Sequence, residues 1–476
     1  MTPLLLLAVG VVIVLGGILW LRLHAFLALV LAAYGVALFT PAEALRAHAE
    51  ARAAKGEMPA KAAAKFPEKP AAARVAEEFG KTCANLGILI AMAAILGEAM
   101  LLSGAAESIA AALLRWLGAA RAHWAFFGAS FVLCIPVMLD TVFYLLSPLT
   151  KAVARETRRD YLLLVMCTVA GGTIAHSLVP PTPGPLFVAG ALHVPLGLMI
   201  GMGSAIGLGA ALCGVVFATW SNRHHVLEVP AEDAAAAVTS KGVLPPLWLA
   251  LVPVALPIAL IAAEASLKPL LAPGSGLAWA VRTLGDKDMA LTLGALVALL
   301  TLARQQQRRA SVAHSAPMAG VAKATQEALT AGAMILLIIA AGGAFGGVLQ
   351  QTGIAQMLGA MLGGTQVLAL PVVFLATALV RTAQGSATVA MITAAPLATA
   401  FLESGVAHVN AVYFAIAIGC GSKPFPWMND AGFWIITRLS GLREEQTLRT
   451  ISPMMSLQGV AGLVLTMLCA WAFPLR

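Results

Sequence analysis

The residues of this chain that could do chemistry are single polar side chains set inside long apolar stretches. Asp140 is one of them, because it follows the apolar run 134–139, in which Pro136 loosens the helix. A carboxylate inside a bilayer is costly, so it normally faces the interior of a helix bundle or a water-filled cavity. We therefore expect Asp140 either to carry a coupling proton or to be a structural acid that pairs with a neighbouring helix.

A second polar cluster accompanies the run 171–185, which separates two apolar stretches and has four prolines in its last six residues. A continuous helix cannot cross here, since proline lacks an N–H and clashes with the preceding turn. At membrane depth such a break is tolerated only where it is buried in protein or lines a wet cavity. We expect Gly184 and Pro185 to begin a half-helix, capped by Thr182, whose N–H groups point at an anion. The alternative is a plain turn outside the membrane.

His176 comes just before this break. Its imidazole suits proton relay, and its N–H suits a substrate hydroxyl or carboxylate. The alternative is a neutral histidine that binds carbonyl groups freed at the end of the helix.

The run from Arg381 to Thr388 is the corresponding polar stretch in the second half of the chain. Gln384, Ser386 and Thr388 offer an amide and two hydroxyls, and Gly385 lets a backbone or a ligand approach closely. Arg381 predicts a bidentate clamp for a carboxylate. The alternative role for Arg381 is an anchor that snorkels to the membrane surface.

A further break is predicted between Gly421 and Asp430. Asn429 is expected to bind substrate, whereas Asp430 is either a proton-coupling acid or the N-cap of the following helix. Lys423 either neutralises an anionic ligand or snorkels.

The sequence favours a transporter over an enzyme. Serine and histidine are present, but there is no nucleophile elbow and no pair of metal ligands at a recognisable spacing. The six cysteines are scattered through apolar runs and read as small core residues. We therefore predict no cofactor and no metal.

The composition defines the elements that must position these residues. Of 476 residues, 60% are hydrophobic and only 11% are charged, and the mean hydropathy is +0.88. These values predict an all-α, multi-pass membrane protein with about 11–14 membrane segments, including interrupted helices and re-entrant hairpins. Cationic loops account for the net charge of +8, so nucleic acid is not an expected partner.

The predicted organisation is two repeats set among scaffold helices. The first repeat contains the break at 179–185, and the second contains breaks near 382–388 and 421–430. The predicted parts are scaffold spans at 1–40, a polar extramembrane insert at 41–81, the first repeat at 82–220, linking scaffold at 221–325 and the second repeat at 326–476.

Short matches between the halves occur in the same order at offsets of 247 to 249 residues. They pair 103–109 with 352–358, 141–142 with 388–389, 147–149 with 395–397, and 182–184 with 430–432. The loops 150–160 and 438–449 are rich in Lys and Arg, whereas their counterparts near 398–407 and 190–200 have none. Because cationic short loops mark the cytoplasmic side, this asymmetry predicts that the repeats have inverted topology.

These stretches resemble the gluconate permease family of sugar-acid:proton symporters. The resemblance rests on Ser103 to Ala106, Ile135 to Asp140, His176 to Pro185, Gly342 to Phe345, Gln384 to Val389, and Asn429 to Trp434. It implies a secondary carrier of the wider ion-transporter superfamily, a homodimer with a scaffold and a moving transport domain in the bacterial cytoplasmic membrane. It also implies that Asp140, His176, Thr182, Gln384, Ser386, Thr388, Asn429 and Asp430 are functional.

The resemblance implies proton-driven symport of D-gluconate or a related small hydroxy acid. The chain departs from the family pattern at Thr182, where a second histidine is usual, at Met138-Leu139, where a phenylalanine pair is usual, and at 423–427. The alternative function is a cation/proton antiporter of similar architecture, which would need several acids around one site.

Overall fold

The computed structural model describes all but a few segments of the chain. The positions that it leaves undescribed are 1, 55, 57, 158–159, 226, 228, 230–243, 268–269, 273–274, 314–316, 355–356, 358–368, 405–408, 429 and 476. Predictions for Arg158, Arg159, Asn429 and part of the 398–407 loop therefore lie outside the described residues.

The prediction of an all-α protein is confirmed, because the described residues form helices and no strand. The α-helices are α1 (Pro3–Leu19), α2 (Ala25–Phe39), α3 (Ala42–Ala54), α4 (Ala60–Lys65), α5 (Ala71–Leu102), α6 (Ala105–Leu117), α7 (Ala122–Leu133), α8 (Leu139–Thr157), α9 (Tyr161–Leu178), α10 (Pro183–Ala191), α11 (Leu196–His224), α12 (Leu247–Leu267), α13 (Gly276–Gly285), α14 (Lys287–Ala313), α15 (Pro317–Gln350), α16 (Ala369–Gln384), α17 (Ala387–Glu403), α18 (Ala411–Gly421), α19 (Ala431–Ser440) and α20 (Glu444–Ala472).

The helices divide into full spans and half-length helices. Within the described ranges, seven spans are long and apolar enough to cross a membrane, or eight if the pair α2 and α3, bent by 99°, is one span. Five further apolar helices have only 10–17 residues. The predicted number of 11–14 segments therefore counted full crossings and half-length helices together. Hydropathy alone does not show where an apolar stretch is interrupted.

Helices α9 and α10 form the centre of the molecule. In their combined span, 94% of the most apolar window is buried, whereas no other long span exceeds 56%. α9 packs between α7 and α11, and α10 packs on α17. The predicted break at 179–185 therefore lies in the most buried span.

The helices of the two halves recur at a constant offset. α8 and α17 begin 248 residues apart, as do α10 and α19, and each of α8 and α17 contains a proline at the matched position. α11 and α20 have 29 residues each, again 248 apart. After the long helices α5 and α15, Gly104 and Gly353 both have positive φ, at 76° and 78°.

Matched helices of the two halves pack antiparallel. On α5 and α15, Arg74 bonds Gln351, and Thr82 lies against Gly343, so residue numbers rise on one helix as they fall on the other. On α11 and α20, Gly209 faces Leu465 and Gly214 faces Gln458, which is the same relation. Inverted repeats would produce this antiparallel relation, and the inverted topology itself stays a prediction.

The glycines of α15 pack closely against two neighbouring helices. A Cβ atom added at Gly342 would lie 1.8 Å from Ile392 Cγ2 of α17, and one at Gly346 would lie 2.9 Å from Pro396 Cγ. The neighbouring glycines, Gly343 and Gly347, instead face Thr82 and Glu78 of α5. α15 therefore holds α5 on one face and the half-helix α17 on the other.

Three predicted part boundaries fall inside helices. α5 begins at Ala71 and runs through position 82, α11 runs through 220, and α15 runs through 325. The change of composition near 82 marks where α5 becomes apolar, since its first turns carry Glu77, Glu78 and Lys81. The insert before α5 is largely helical and has a small apolar cluster of its own, which consists of Leu45, Ala49, Ala63 and Phe66.

Candidate functional site at four helix breaks

Four interruptions bring backbone polar groups into the apolar interior. Three lie where the sequence predicts them, at 179–182, 385–386 and 422–430. The fourth, at 134–138 between α7 and α8, was missed as a break, because 122–147 reads as one apolar segment. Pro136 was its only local signal, since it cannot donate to the carbonyl one turn earlier.

The half-helices that follow the breaks meet in two pairs. A Cβ atom added at Gly184 of α10 would lie 3.7 Å from the Cα of Thr388 and 2.8 Å from Met391 Sδ, so α10 and α17 begin side by side. One added at Gly432 of α19 would lie 3.6 Å from Asp140 Oδ1, so α8 and α19 also begin together. Each pair joins one half-helix from each repeat, and each brings together two helix N-termini, which favour negative charge.

Thr182 occupies the N-cap position of α10, as predicted, but its side chain makes no capping bond. Its hydroxyl instead donates to the carbonyl of Val179 at 2.7 Å, which the break has freed from the helical ladder. Because Pro183 and Pro185 have no N–H, Gly184 supplies the free donor in the first turn of α10.

The second N-terminus of this pair belongs to α17. Ser386 caps it, and its hydroxyl accepts from the N–H of Val389 at 3.3 Å. Gln384 donates to the carbonyl of Ser386 at 3.3 Å, and both residues, like Thr388, are partly exposed. All three predicted residues therefore line one accessible edge of the break.

Arg381 is 2% exposed, so it does not snorkel to the membrane surface. Its Nε donates to the carbonyl of Ser422 at 3.0 Å, and its two terminal nitrogens donate to the carbonyl of Gly385 and to Asp430 Oδ2. The guanidinium thus joins the breaks at 385–386 and 422–430. A role as a substrate clamp would require these contacts to be broken.

Asp430 has both of the roles that a structural acid can have here. One carboxylate oxygen accepts from the N–H of Gly432 at 2.8 Å and caps α19, as the capping alternative predicts. The other is ion-paired with Arg381. Its charge is therefore already neutralised within the protein.

Asp140 lies in the first turn of α8 and is partly buried. Among the described residues, none donates a hydrogen bond to it and none forms an ion pair with it. Its carboxylate points at the beginning of α19, near the carboxylate of Asp430. The pairing with a neighbouring helix that the structural alternative requires is not present in the described part of the chain.

His176 lies in the last turn of α9. Its Nδ1 atom is buried without a partner among the described residues, and so is the hydroxyl of Ser177. Lys423 is 2% exposed, and its ammonium donates to the carbonyl of Thr173 at 2.7 Å, one turn before His176. Lys423 therefore does not snorkel; its side chain extends from the 422–430 loop into the interior and contacts α9.

These groups suit a small organic anion. They provide N-terminal dipoles, hydroxyls, an amide, an imidazole and two buried cations in one region. In the described residues, no group of three or more His, Cys, Asp or Glu side chains could hold a metal ion. Asn429, the remaining predicted ligand, lies outside the described residues.

Interrupted helices around a partly exposed polar centre, within a multi-pass helical membrane protein, define a membrane transporter. The chain belongs to the GntP permease family, because the family model described as "GntP family permease" matches residues 62–472. As predicted, it is a permease and not an enzyme.

Named relatives cover most of the chain. It is 30% identical over 406 residues to the inner membrane permease YgbN of Escherichia coli (strain K12), a match that covers 83% of this chain and 87% of that one. It is 29% identical over 456 residues to the low-affinity gluconate transporter of the same strain, covering 94% and 93%. The crystal structure of the Alcanivorax borkumensis YdaH transporter shares the fold, with a TM-score of 0.60, 15% identity, and coverage of 84% of this chain and 88% of that one.

Proposed function

We propose that this permease carries gluconate, or a related small hydroxy acid, together with protons across the bacterial cytoplasmic membrane. The names of two relatives, a gluconate transporter and an inner membrane permease, support the substrate class and the location. An antiporter of similar architecture is not favoured, because Asp430 is tied to Arg381 and leaves Asp140 as the one acid at the breaks without a protein partner among the described residues.

The observation that carries the proposal is the difference between the two pairs of half-helices. At the α8–α19 pair the protein supplies its own anions, Asp140 and Asp430. At the α10–α17 pair neither first turn contains an acidic residue. A substrate carboxylate is thus the anion that the α10–α17 pair would bind, through the free N–H groups at its two N-termini.

The hydroxyl groups of the substrate need polar partners beside this carboxylate site. We assign this role to His176 in the last turn of α9, to Gln384, Ser386 and Thr388 around the start of α17, and to Asn429. Such groups bind a hydroxylated acid more tightly than an apolar one, since an unmatched polar group in a buried site costs binding free energy.

Coupling to protons follows from the position of Asp140. Its carboxylate at the α8–α19 pair lies in the same interior as the substrate carboxylate, and like charges repel strongly away from water. Protonation of Asp140 would remove this repulsion, so proton binding and anion binding would favour each other. His176 is the alternative carrier, and Asp430 comes third because Arg381 already neutralises it.

Uptake of labelled D-gluconate into proteoliposomes, with and without an inward proton gradient, tests this function. We expect accumulation above equilibrium only with the gradient, and no comparable accumulation of glucose, the related neutral sugar. Equal uptake of glucose would overturn the anion site, and accumulation that ignores the gradient would overturn proton coupling.

A further inference from the structure

We infer that Gln458 and Lys423 are positioning residues that together fix the turn of α9 before His176 against the break at 422–430. We call this pair of side chains the α9 brace. The inference rests on the proposed function and adds to it two residues that act on substrate binding through His176.

Gln458 is a fully buried amide that reaches α9 from α20. Its Nε2 atom donates to the carbonyl of Ala170 at 3.0 Å, and its Oε1 atom accepts from the hydroxyl of Thr173 at 3.4 Å. On the side of α11 lies Gly214, where an added Cβ atom would overlap the Gln458 side chain. The amide is therefore enclosed between α9 and α11, and both its nitrogen and its oxygen bond α9.

Lys423 contacts the same turn of α9 from the 422–430 break. Its ammonium donates to the carbonyl of Thr173 at 2.7 Å. The backbone of α20 also packs against its stem, because a Cβ atom added at Gly459, the residue after Gln458, would lie 3.0 Å from Lys423 Cβ. Two side chains from the second half of the chain, one on the break and one on α20, therefore hold the same stretch of the first half, residues 170–173.

These contacts are additional to the hydrogen bonds of α9 itself. The carbonyls of Ala170 and Thr173 lie inside α9, which runs to Leu178, so each faces the N–H four residues later in the regular helical pattern. The hydroxyl of Thr173 has a second acceptor in the carbonyl of Val169, at 2.8 Å. The brace therefore fixes where α9 lies relative to the 422–430 break, and does not serve backbone groups that a break has freed.

The residue that this brace positions is His176. It follows Thr173 by three residues, so the two side chains are neighbours on the surface of α9. Its imidazole is within electrostatic reach of the Lys423 ammonium, and its Nδ1 atom has no hydrogen-bond partner among the described residues. The place of the imidazole in the site thus depends on the turn that the brace holds. Because a hydrogen bond weakens as its distance and angle depart from the optimum, loss of the brace should weaken substrate binding.

The test uses variants of the full-length protein, each made alone and together with His176→Gln. Gln458→Met and Lys423→Met keep a side chain of similar length but remove its bonds to α9. Both should fold, because the α9 carbonyls keep their helical partners. Thr173→Val removes only the hydroxyl that Gln458 accepts from, so it tests the same contact without a change in α20.

Thr466→Val is the matched control. Thr466 is also fully buried on α20, but its hydroxyl donates to the carbonyl of Gly462 in the same helix, at 2.6 Å. The control therefore removes a buried hydrogen bond from α20 that does not reach α9.

The measurement is the affinity for D-gluconate, taken from the rise in melting temperature with gluconate concentration. Gln458→Met and Lys423→Met should each bind up to about tenfold more weakly than the parent, which is the value of one hydrogen bond to substrate. Thr173→Val should change the affinity in the same direction but by less, and Thr466→Val should bind as the parent does. In the His176→Gln background the brace substitutions should have little further effect, because they act through His176.

The outcomes separate this inference from the proposed function. Brace variants that bind gluconate as tightly as the parent would overturn the inference and leave the proposed function intact. An equal loss of affinity with and without His176→Gln would overturn the action through His176, and so would an equal loss in Thr466→Val. A parent protein that neither binds nor accumulates gluconate would overturn the proposed function and this inference with it.

Discussion

At the scale of single residues, Arg381 connects two helix breaks through one guanidinium. Its three contacts satisfy two carbonyl groups that the breaks release and hold the acid that caps α19. Lysine cannot reproduce these contacts, because its donors leave from a single nitrogen. The residue therefore holds the two breaks together, and its role as a substrate clamp stays a prediction.

We predict that Arg381→Met lowers the free energy of unfolding by about 3 kcal/mol, since it leaves the largely buried carboxylate of Asp430 without its partner. Arg381→Lys should recover only part of this loss. Thermal unfolding of both variants in detergent provides the measurement. If Arg381→Met unfolds at the temperature of the parent but no longer binds gluconate, Arg381 is a substrate clamp after all.

Asp140 and His176 are distinguished by a second prediction. Asp140→Asn should keep gluconate exchange but lose uphill uptake, because the amide mimics the protonated acid. His176→Gln keeps hydrogen-bonding capacity without a titratable proton, so we expect weaker binding with coupling preserved. Counterflow and proton-driven accumulation should be measured for both in the same liposomes. Normal accumulation by both variants would make Asp430 the next candidate.

At the scale of the elements, the half-helices are positioned by full-length helices that pack tightly behind them. α15 supports α17 at Gly342, where Ile392 fills all of the space that a side chain would need. The start of α17, which carries Ser386 and Thr388, is thereby fixed relative to α5 and α15. Close helix contact through small residues is the usual means of such support in membranes.

We predict that Gly342→Ala destabilises the protein by about 1–3 kcal/mol, since the new Cβ would lie 1.8 Å from Ile392 Cγ2. In the double variant with Ile392→Ala, the clash is relieved, because the remaining Cβ would be 3.3 Å away. The double variant should therefore be less destabilised than the sum of the single ones, as measured by thermal unfolding.

Gly201→Ala provides the control for this cycle, because no atom lies within 4 Å of a Cβ added there. It should be neutral or slightly stabilising. Additive effects at Gly342 and Ile392 would show that the two positions are not in contact in the membrane.

At the scale of the whole molecule, the antiparallel packing of α5 on α15 and of α11 on α20 supports inverted repeats. With cationic loops on the cytoplasmic side, positions 155 and 443 should both lie inside the cell, and position 193 outside. Positions 155 and 443 belong to the two cationic segments, whereas position 193 belongs to the counterpart of 438–449, which has no Lys or Arg.

Single cysteines at 155, 443 and 193 in a cysteine-free background measure this topology. We expect an impermeant thiol reagent, added to intact cells, to label only position 193, and to label all three after permeabilisation. External labelling of both 155 and 443 would contradict the orientation. Their labelling from opposite sides would contradict the inverted relation of the repeats.

The sequence alone determined the class of the protein and most positions of the helix breaks. Four prolines in 180–185 and the glycines near 385 and 421 act on the local backbone, so their effect can be seen without knowing what packs around them. The sequence did not predict the break at 134–138, because a single proline in an apolar run also occurs inside intact membrane helices.

Only the tertiary structure decided what the charged residues do. Arg381 is paired with Asp430, which is 49 residues away in the sequence. Lys423 donates to the carbonyl of Thr173, which is 250 residues away. Sequence patterns showed that these charges lie in apolar surroundings, but not which of them cancel, because that depends on contacts between distant segments. Among the described residues, Arg381 is ion-paired with Asp430, whereas Lys423 and Asp140 have no ion-pair partner, so the charge balance of the site is a property of the fold.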